Sequence, residues 1–273
     1  MASSRIRQAV VAGQFYPATE ADIKKLIAGF VDTQTSKVDV IACMLPHAGY
    51  QYSGKVAAQT AARINIKDKV ILLGPNHTGN GAAYSIMTEG AWQAPQGPLN
   101  IDSQLAKSIL EGSQYLENDY LAHAEEHSLE VELPILQYFR NDFEIVPIAF
   151  MSDDLPVLKK IGEDIAGAVK KLKAQDKVLL VASSDMTHYE PQESARIKDK
   201  KAIEAILALS PDKLMRAVKD FNISMCGYAP AIVMLSVANS LGASSAQLIS
   251  YQTSGDVTGD KSSVVGYAGI IIK

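Results

Sequence analysis

The chain has 273 residues and a mass of 29.4 kDa; 47% of its residues are hydrophobic, and the formal charge is −4. With a pI near 5.8 and Lys and Arg scattered along the sequence, it is not built to be steered toward nucleic acid or an anionic membrane surface. No run approaches the ~20 apolar residues of a membrane helix, and no linker, charge block or low-complexity tract marks a boundary, so a single domain over 1–273 is expected, near the size at which one core stops growing.

The opening MASSRIRQAVVAGQFYP lacks the apolar centre of a signal peptide. With only two cysteines, Cys43 and Cys226, this points to a cytoplasmic chain without a disulfide. Thr19 caps a predicted helix over 19–32. The run 38–45 is the first core strand, with Cys43 as a small core residue, and Pro46 and His47 follow it. An Ala-rich helix is predicted over 53–64 and a second strand over 70–73, completing a βαβ unit. There VILLGPNHTG breaks at Gly74-Pro75 and delivers Asn76, His77 and Thr78. The strands carrying His47 and His77 are expected to be neighbours. Residues 84–88 and 92–101 read as short strands and turns, and Asp102 caps a helix to Gly112.

In LAHAEEHSLEVELPILQYF, residues 121–139, His123, Glu126, His127 and Glu130 fall at helical spacings that could set polar groups on one face. Pro134 would cost about 3 kcal/mol inside a helix, so either a kink or a helix start close to it is expected. Further on come a strand over 143–150, a helix over 154–173 and a strand over 178–182 that leads to His188. Helices follow over 192–209, 211–220, with Ser210 as cap and Pro211 at the first position, and 229–241. Strands over 245–251 and 263–272 flank TSGDVTGDKSS, read as a solvated turn. The alternation predicts a three-layer α/β domain with a mixed, largely parallel sheet, in which ligands sit beyond the carboxyl ends of the strands.

Three of the five histidines (His47, His77 and His188) follow apolar strands. Together with Cys226 in SMCGY they are the ligand types of a transition-metal site. None belongs to a short motif such as CxxC or HExxH, so a metal site needs the fold to gather distant loops; a hydrogen-bonded loop residue is the alternative for each histidine singly. Asp185 and His188, three apart in SSDMTHY, suit a carboxylate that holds one imidazole nitrogen and sets the tautomer of the other, an acid/base pair. His127 beside Glu130 reads as ordinary surface electrostatics. Ser183 and Ser184 lack a GxSxG elbow, a Cys226 nucleophile with a distant histidine stays open, and the phosphate-binding GxGxxG and GxxxxGK[ST] patterns are absent.

AGQFYP at 12–17, PHAGYQYSG at 46–54, LLGPNHTG at 72–79, EEHSLEVELPILQ at 125–137, SSDMTHY at 183–189 and MCGY at 225–228 span nearly the whole chain. Together they resemble the Memo-like family, the mediator of ErbB2-driven cell motility and its bacterial and archaeal relatives. The resemblance implies a fold similar to the class III extradiol (LigB-like) dioxygenases, non-heme iron enzymes that open catechol rings. It implies metal ligands at His47, His77 and Cys226, and catalytic pocket residues at His188, Asp185 and His127, with His188 where the dioxygenases place a base. Those enzymes hold iron with two histidines and a carboxylate, whereas a cysteine stands here; a thiolate is softer and itself oxidisable. Iron is therefore expected, with copper or zinc as alternatives, and ring cleavage does not follow automatically. The implied function is a metal-binding redox protein, an oxidoreductase if an enzyme. The alternative is a non-catalytic module that binds a peptide or small molecule in the same pocket. For microbial relatives the resemblance also implies radical-SAM and AMMECR-type partners.

Overall fold

Four apolar runs pair in parallel at the centre of the sheet, in the spatial order Ala42–Leu45, Val178–Ser183, Lys69–Pro75 and Glu144–Phe150. This is seen in a computed structural model that describes residues 5–32 and 36–273. The first two strands are buried along their whole length and the other two at all but their first residue. Helices cover both faces, which is why these strands read as continuous apolar runs rather than as alternating ones. Antiparallel strands finish the sheet on each side: Val264–Ile272, backed by Ala246–Thr253, beside Ala42–Leu45, and Tyr84–Ile86 beside Glu144–Phe150. The result is the mixed sheet with a parallel centre that the alternation of elements predicts. The strands bearing His47 and His77, expected side by side, are separated by Val178–Ser183, because that strand forms both parallel ladders.

The Tyr228–Ser240 helix is buried from Ala229 to Ala238, as an element apolar all round must be. It lies between the sheet and Leu155–Lys171, and the two helices approach closely at Gly162, where a Cβ would stand 2.5 Å from that of Ser236. Gly54–Ala61 packs on Val264–Ile272 from the other face. One contiguous core runs from Tyr16 to Ile272. The predicted caps Thr19, Asp102 and Ser210 are in place, each accepting a hydrogen bond from a first-turn N–H of its helix, and Asp154, expected as the first helical residue, caps its helix in the same way. Among the described residues, no helix is long and apolar enough to cross a membrane.

Residues 121–139 do not form one helix with a polar face. They make a short helix, Leu121–Ala124, then an irregular segment, then Glu132–Phe139, whose first turn holds Pro134, where a missing N–H leaves nothing unpaired. The segment between is tied down by the N-terminal strap. Fully buried Arg7 donates to the carbonyl oxygens of His123 (2.9 Å) and Glu126 (2.6 Å), pairs with the fully buried Glu130, and stacks 4.4 Å over Trp92. Glu130 also accepts the N–H groups of Val10 and Val11 (both 3.0 Å to Oε1) and the Tyr16 hydroxyl (2.6 Å).

Behind this strap His123 is fully buried, Nε2 2.8 Å from the Ser85 hydroxyl, and burial, then the Arg7 charge, push its pKa down to about 4. An unfolded histidine keeps about 6.5, so on acidification the unfolded chain binds the proton first. The stability is therefore present above pH 6.5 and is lost as pH falls toward 4. Between pH 7.5 and 5 this group alone is expected to remove roughly 2 kcal/mol. Denaturant titrations of the wild type and His123→Gln at both pH values check this: the variant should lose less stability by about that amount.

Candidate metal centre

The carboxyl ends of the parallel strands open onto a pocket of about 810 Å³. Ala42–Leu45 runs out through Pro46 to His47, Lys69–Pro75 to His77, and Val178–Ser183, lying between them, to Asp185. Cys226 arrives from the turn that starts the Tyr228–Ser240 helix. The central strand end braces His47: the Asp185 carboxylate accepts the backbone N–H groups of His47 (2.9 Å) and Ala48 (3.3 Å), and the Ser183 hydroxyl lies 2.7 Å from His47 Nδ1.

His47, His77 and Cys226 each present a donor atom within 4.8 Å of the other two. Cys226 Sγ and His47 Nε2 are 3.3 Å apart. Bonds of about 2.0 Å to nitrogen and 2.3 Å to sulfur at a tetrahedral angle put such a pair about 3.5 Å apart, so a spacing that serves a thiol–imidazole hydrogen bond is also one that two ligands of one ion could adopt. Both cysteines are free. Burial, then Asp185, push the Cys226 thiol well up, and burial, then His77, pushes His47 down, so the two groups by themselves are neutral.

Each imidazole is held from behind. Glu126, fully buried, accepts the His77 backbone N–H on Oε2, while its Oε1 is 3.0 Å from His77 Nδ1 and 2.8 Å from the Ser128 N–H. Burial alone would raise its pKa, but the His77 ring and these N–H groups outweigh that and hold it at about 2. The carboxylate thereby keeps the His77 proton on Nδ1 and turns the Nε2 lone pair to the pocket. Behind His47, the Ser183 hydroxyl meets His47 Nδ1, the Ser128 carbonyl oxygen (2.8 Å) and Glu132 Oε1 (2.7 Å). Burial pushes Glu132 well above the usual carboxylate range, so it is protonated. These three contacts are mutually consistent when Glu132 and His47 Nδ1 donate to Ser183 and Ser183 donates to Ser128, which leaves the His47 Nε2 lone pair facing Cys226 Sγ. Loss of such a carboxylate typically weakens metal binding 10- to 100-fold. Glu126→Ala is expected to do so in a calorimetric titration with zinc; an unchanged Kd would refute its orienting role.

His127 is no surface histidine: it faces the pocket, stacks on His77 with ring centroids 4.9 Å apart, and meets Phe15 edge-on at 5.0 Å. The carboxylates expected on the surface beside it, Glu126 and Glu130, are the buried anchors already described. His77, Glu126 and His127 form a second convergent group that shares His77 with the first. His188 also lines the pocket, but Asp185 does not orient it. Its Nδ1 is 2.9 Å from the Ser224 carbonyl oxygen and its backbone N–H donates to the Ser224 hydroxyl at 2.8 Å. The Asp185 oxygen is instead drawn to the two N–H groups of the His47 loop; burial, opposed chiefly by His188, brings its pKa up to about 6. TSGDVTGDKSS is more than a solvated turn: Ser254–Thr258 forms a short helix with a Thr253/Asp256 capping box, and Ser254, Thr258, Asp260 and Ser263 form a wall of the pocket.

The sequence placed Glu126 on a helical polar face and Ser183 as a serine without a nucleophile elbow, gave neither a part in holding a ring, and left Glu132 unmarked. For Glu126 a signal was present, since a carboxylate directly before His127, upstream of a helix-starting proline, belongs to a loop rather than to a helical face. For Glu132 and Ser183 there was none, because their roles depend on a contact across 51 residues.

A family model described as Memo-like protein matches residues 7–271. A MEMO1 family protein of Methanopyrus kandleri is 40% identical over 281 aligned residues, covering 98% of this chain and 99% of that protein. A MEMO1 family protein of Aquifex aeolicus is 42% identical over 271 residues, with 98% and 99% covered. Among solved structures, an uncharacterized protein from Escherichia coli K12 superposes with a TM-score of 0.54 at 12% identity, covering 83% of this chain and 98% of that one, a likeness of fold alone. With the family pattern running from Arg7 to Ile271 and relatives matched over nearly their full length, the chain belongs to the Memo-like family.

Proposed function

We propose that this protein binds a transition metal through His47, His77 and Cys226, iron first and copper or zinc as alternatives, and that with iron or copper it acts as an oxidoreductase on a small molecule in the pocket. The observation that carries the proposal is the convergence of two imidazole nitrogens and one thiol within 4.8 Å of one another, with each ring tied back through Nδ1. The donor set fits a borderline or soft transition metal. A cation there takes the place of the thiol proton that burial otherwise holds in place. When bound, such an ion supplies Lewis acidity and, for iron or copper, electron transfer. Across the pocket His188, with Nδ1 donating to the Ser224 carbonyl, keeps Nε2 as a basic nitrogen, and His127 offers a second proton carrier against His77.

The competing reading, a binding module without turnover, uses the same cavity. Among the described residues no Lys or Arg lines it, so a phosphate-bearing peptide would meet no permanent cation there. Radical-SAM and AMMECR-type partners and a cytoplasmic location belong to the same proposal and rest on family membership alone. Metal analysis of anaerobically purified protein tests the reading: the wild type should retain a transition metal and Cys226→Ser and His77→Ala should not, and equal content in all three would sink it.

A further inference from the structure

Four non-glycine residues among those described have left-handed backbones: Lys173 (φ 52°), Leu209 (φ 52°), Asn222 (φ 47°) and Tyr189 (φ 58°). Three have a local reason. Lys173, Leu209 and Asn222 each stand just past a helix C-cap, and the next residue's N–H closes back over the last turn: Ala174 to Val169 O at 3.0 Å, Ser210 to Ala205 O at 3.3 Å, and Ile223 to Val218 O at 2.9 Å. That closure is the Schellman pattern, which requires a left-handed residue at that position.

Tyr189 follows no helix. It is the middle residue of His188–Glu190, where the antiparallel register slips: His188 faces Val265 and Glu190 faces Val264, leaving Tyr189 as the extra residue of a bulge. Bulges beside active sites re-aim a side chain. Here the ring is carried to the mouth of the metal pocket, 79% exposed, with its centroid 5.7 Å from that of His188. A bulky side chain in the left-handed region and a large aromatic ring left in water are separately unfavourable, and the two coincide at one residue on the rim of the candidate site. Deeper in, Phe15, Tyr52 and Tyr267 supply further aromatic wall, while the charged lining residues Asp185 and Asp260 are acidic.

We infer that Tyr189 is a stacking residue that selects a planar aromatic ligand, uncharged or cationic, whose donor atom reaches the metal; this rests on the metal reading above. An arrangement of aromatic faces with no Lys or Arg among the described lining residues favours a π-system and disfavours a carboxylate or phosphate substituent.

The test uses three probes with the same metal-binding head: imidazole, phenylimidazole and a carboxyphenylimidazole, titrated into the cobalt(II)-loaded protein and followed by its visible absorption. Phenylimidazole should bind about tenfold more tightly than imidazole, and the carboxylate should remove that gain. Tyr189→Phe should keep the gain. Tyr189→Gly should abolish it with no fall in Tm, since glycine takes the left-handed conformation without strain. Equal binding of imidazole and phenylimidazole by the wild type, a gain that survives in Tyr189→Gly, or a marked loss of Tm in that variant each overturns the inference. Failure of the wild type to take up cobalt fells the metal reading and this inference together, whereas cobalt uptake without a phenyl preference fells the inference alone.

Discussion

Glu130→Ala is expected to destabilise the protein by about 3–5 kcal/mol, the loss typical of breaking a buried ion pair from one side. Arg7 and Glu130 are both fully buried, and the guanidinium has Trp92 against its face. Removing the carboxylate leaves that charge in apolar surroundings and strips the partner from the Val10 and Val11 N–H groups and the Tyr16 hydroxyl. For a chain of this length the fall in Tm should be on the order of 10 °C. The damage should reach the pocket, because the strap that Glu130 anchors also carries Phe15 to its contact with His127. Arg7→Met should be milder, because the Glu130 carboxylate that it strands keeps the Val10 and Val11 N–H groups and the Tyr16 hydroxyl as partners. A melting scan of Glu130→Ala within about 2 °C of the wild type would contradict this view of the strap.

Gly227→Ala is expected to weaken metal binding at least as much as loss of a ligand's supporting carboxylate does, by 10- to 100-fold. Gly227 has an ordinary backbone conformation, and what requires glycine is proximity. A Cβ there would collide with the Ser183 carbonyl oxygen and lie 2.5 Å from Ser184 Cβ. Ser183 ends a central strand buried along its whole length, so it cannot give way. The neighbouring turn must move instead, taking Cys226 away from His47 Nε2 and from the Asp185 N–H that approaches its sulfur at 3.3 Å. Overpacking itself costs about 1–3 kcal/mol, so the variant should fold. Its thermal stabilisation by added zinc should shrink, following the dependence of Tm on ligand occupancy. Full retention of that stabilisation would show that Cys226 is not held in place by this contact.

The central strands were legible because burial on both faces writes them as unbroken apolar runs, and because Pro46 and Gly74-Pro75 stop them where the chain enters the pocket. Caps were legible because they are local, since Thr19, Asp102 and Ser210 act on N–H groups three residues away. What escaped was non-local. Arg7 and Glu130 are 123 positions apart, and nothing near either marks it as buried. The Asp185 side chain was expected to turn toward His188, three residues on, but two N–H groups more than 130 positions away outcompete it. Periodicity carried no signal for Cys226; the family resemblance singled it out, and the structure brings its sulfur to His47 and His77.

The central claim is that Cys226 and the two histidines share one metal ion. The most direct measurement is the absorption spectrum of the cobalt(II)-loaded protein, wild type against Cys226→Ser. The account predicts an intense near-ultraviolet sulfur-to-cobalt band with visible bands of a four-coordinate ion in the wild type, and loss of the ultraviolet band in the variant. A wild-type spectrum without the sulfur band, or one that Cys226→Ser leaves unchanged, would contradict it.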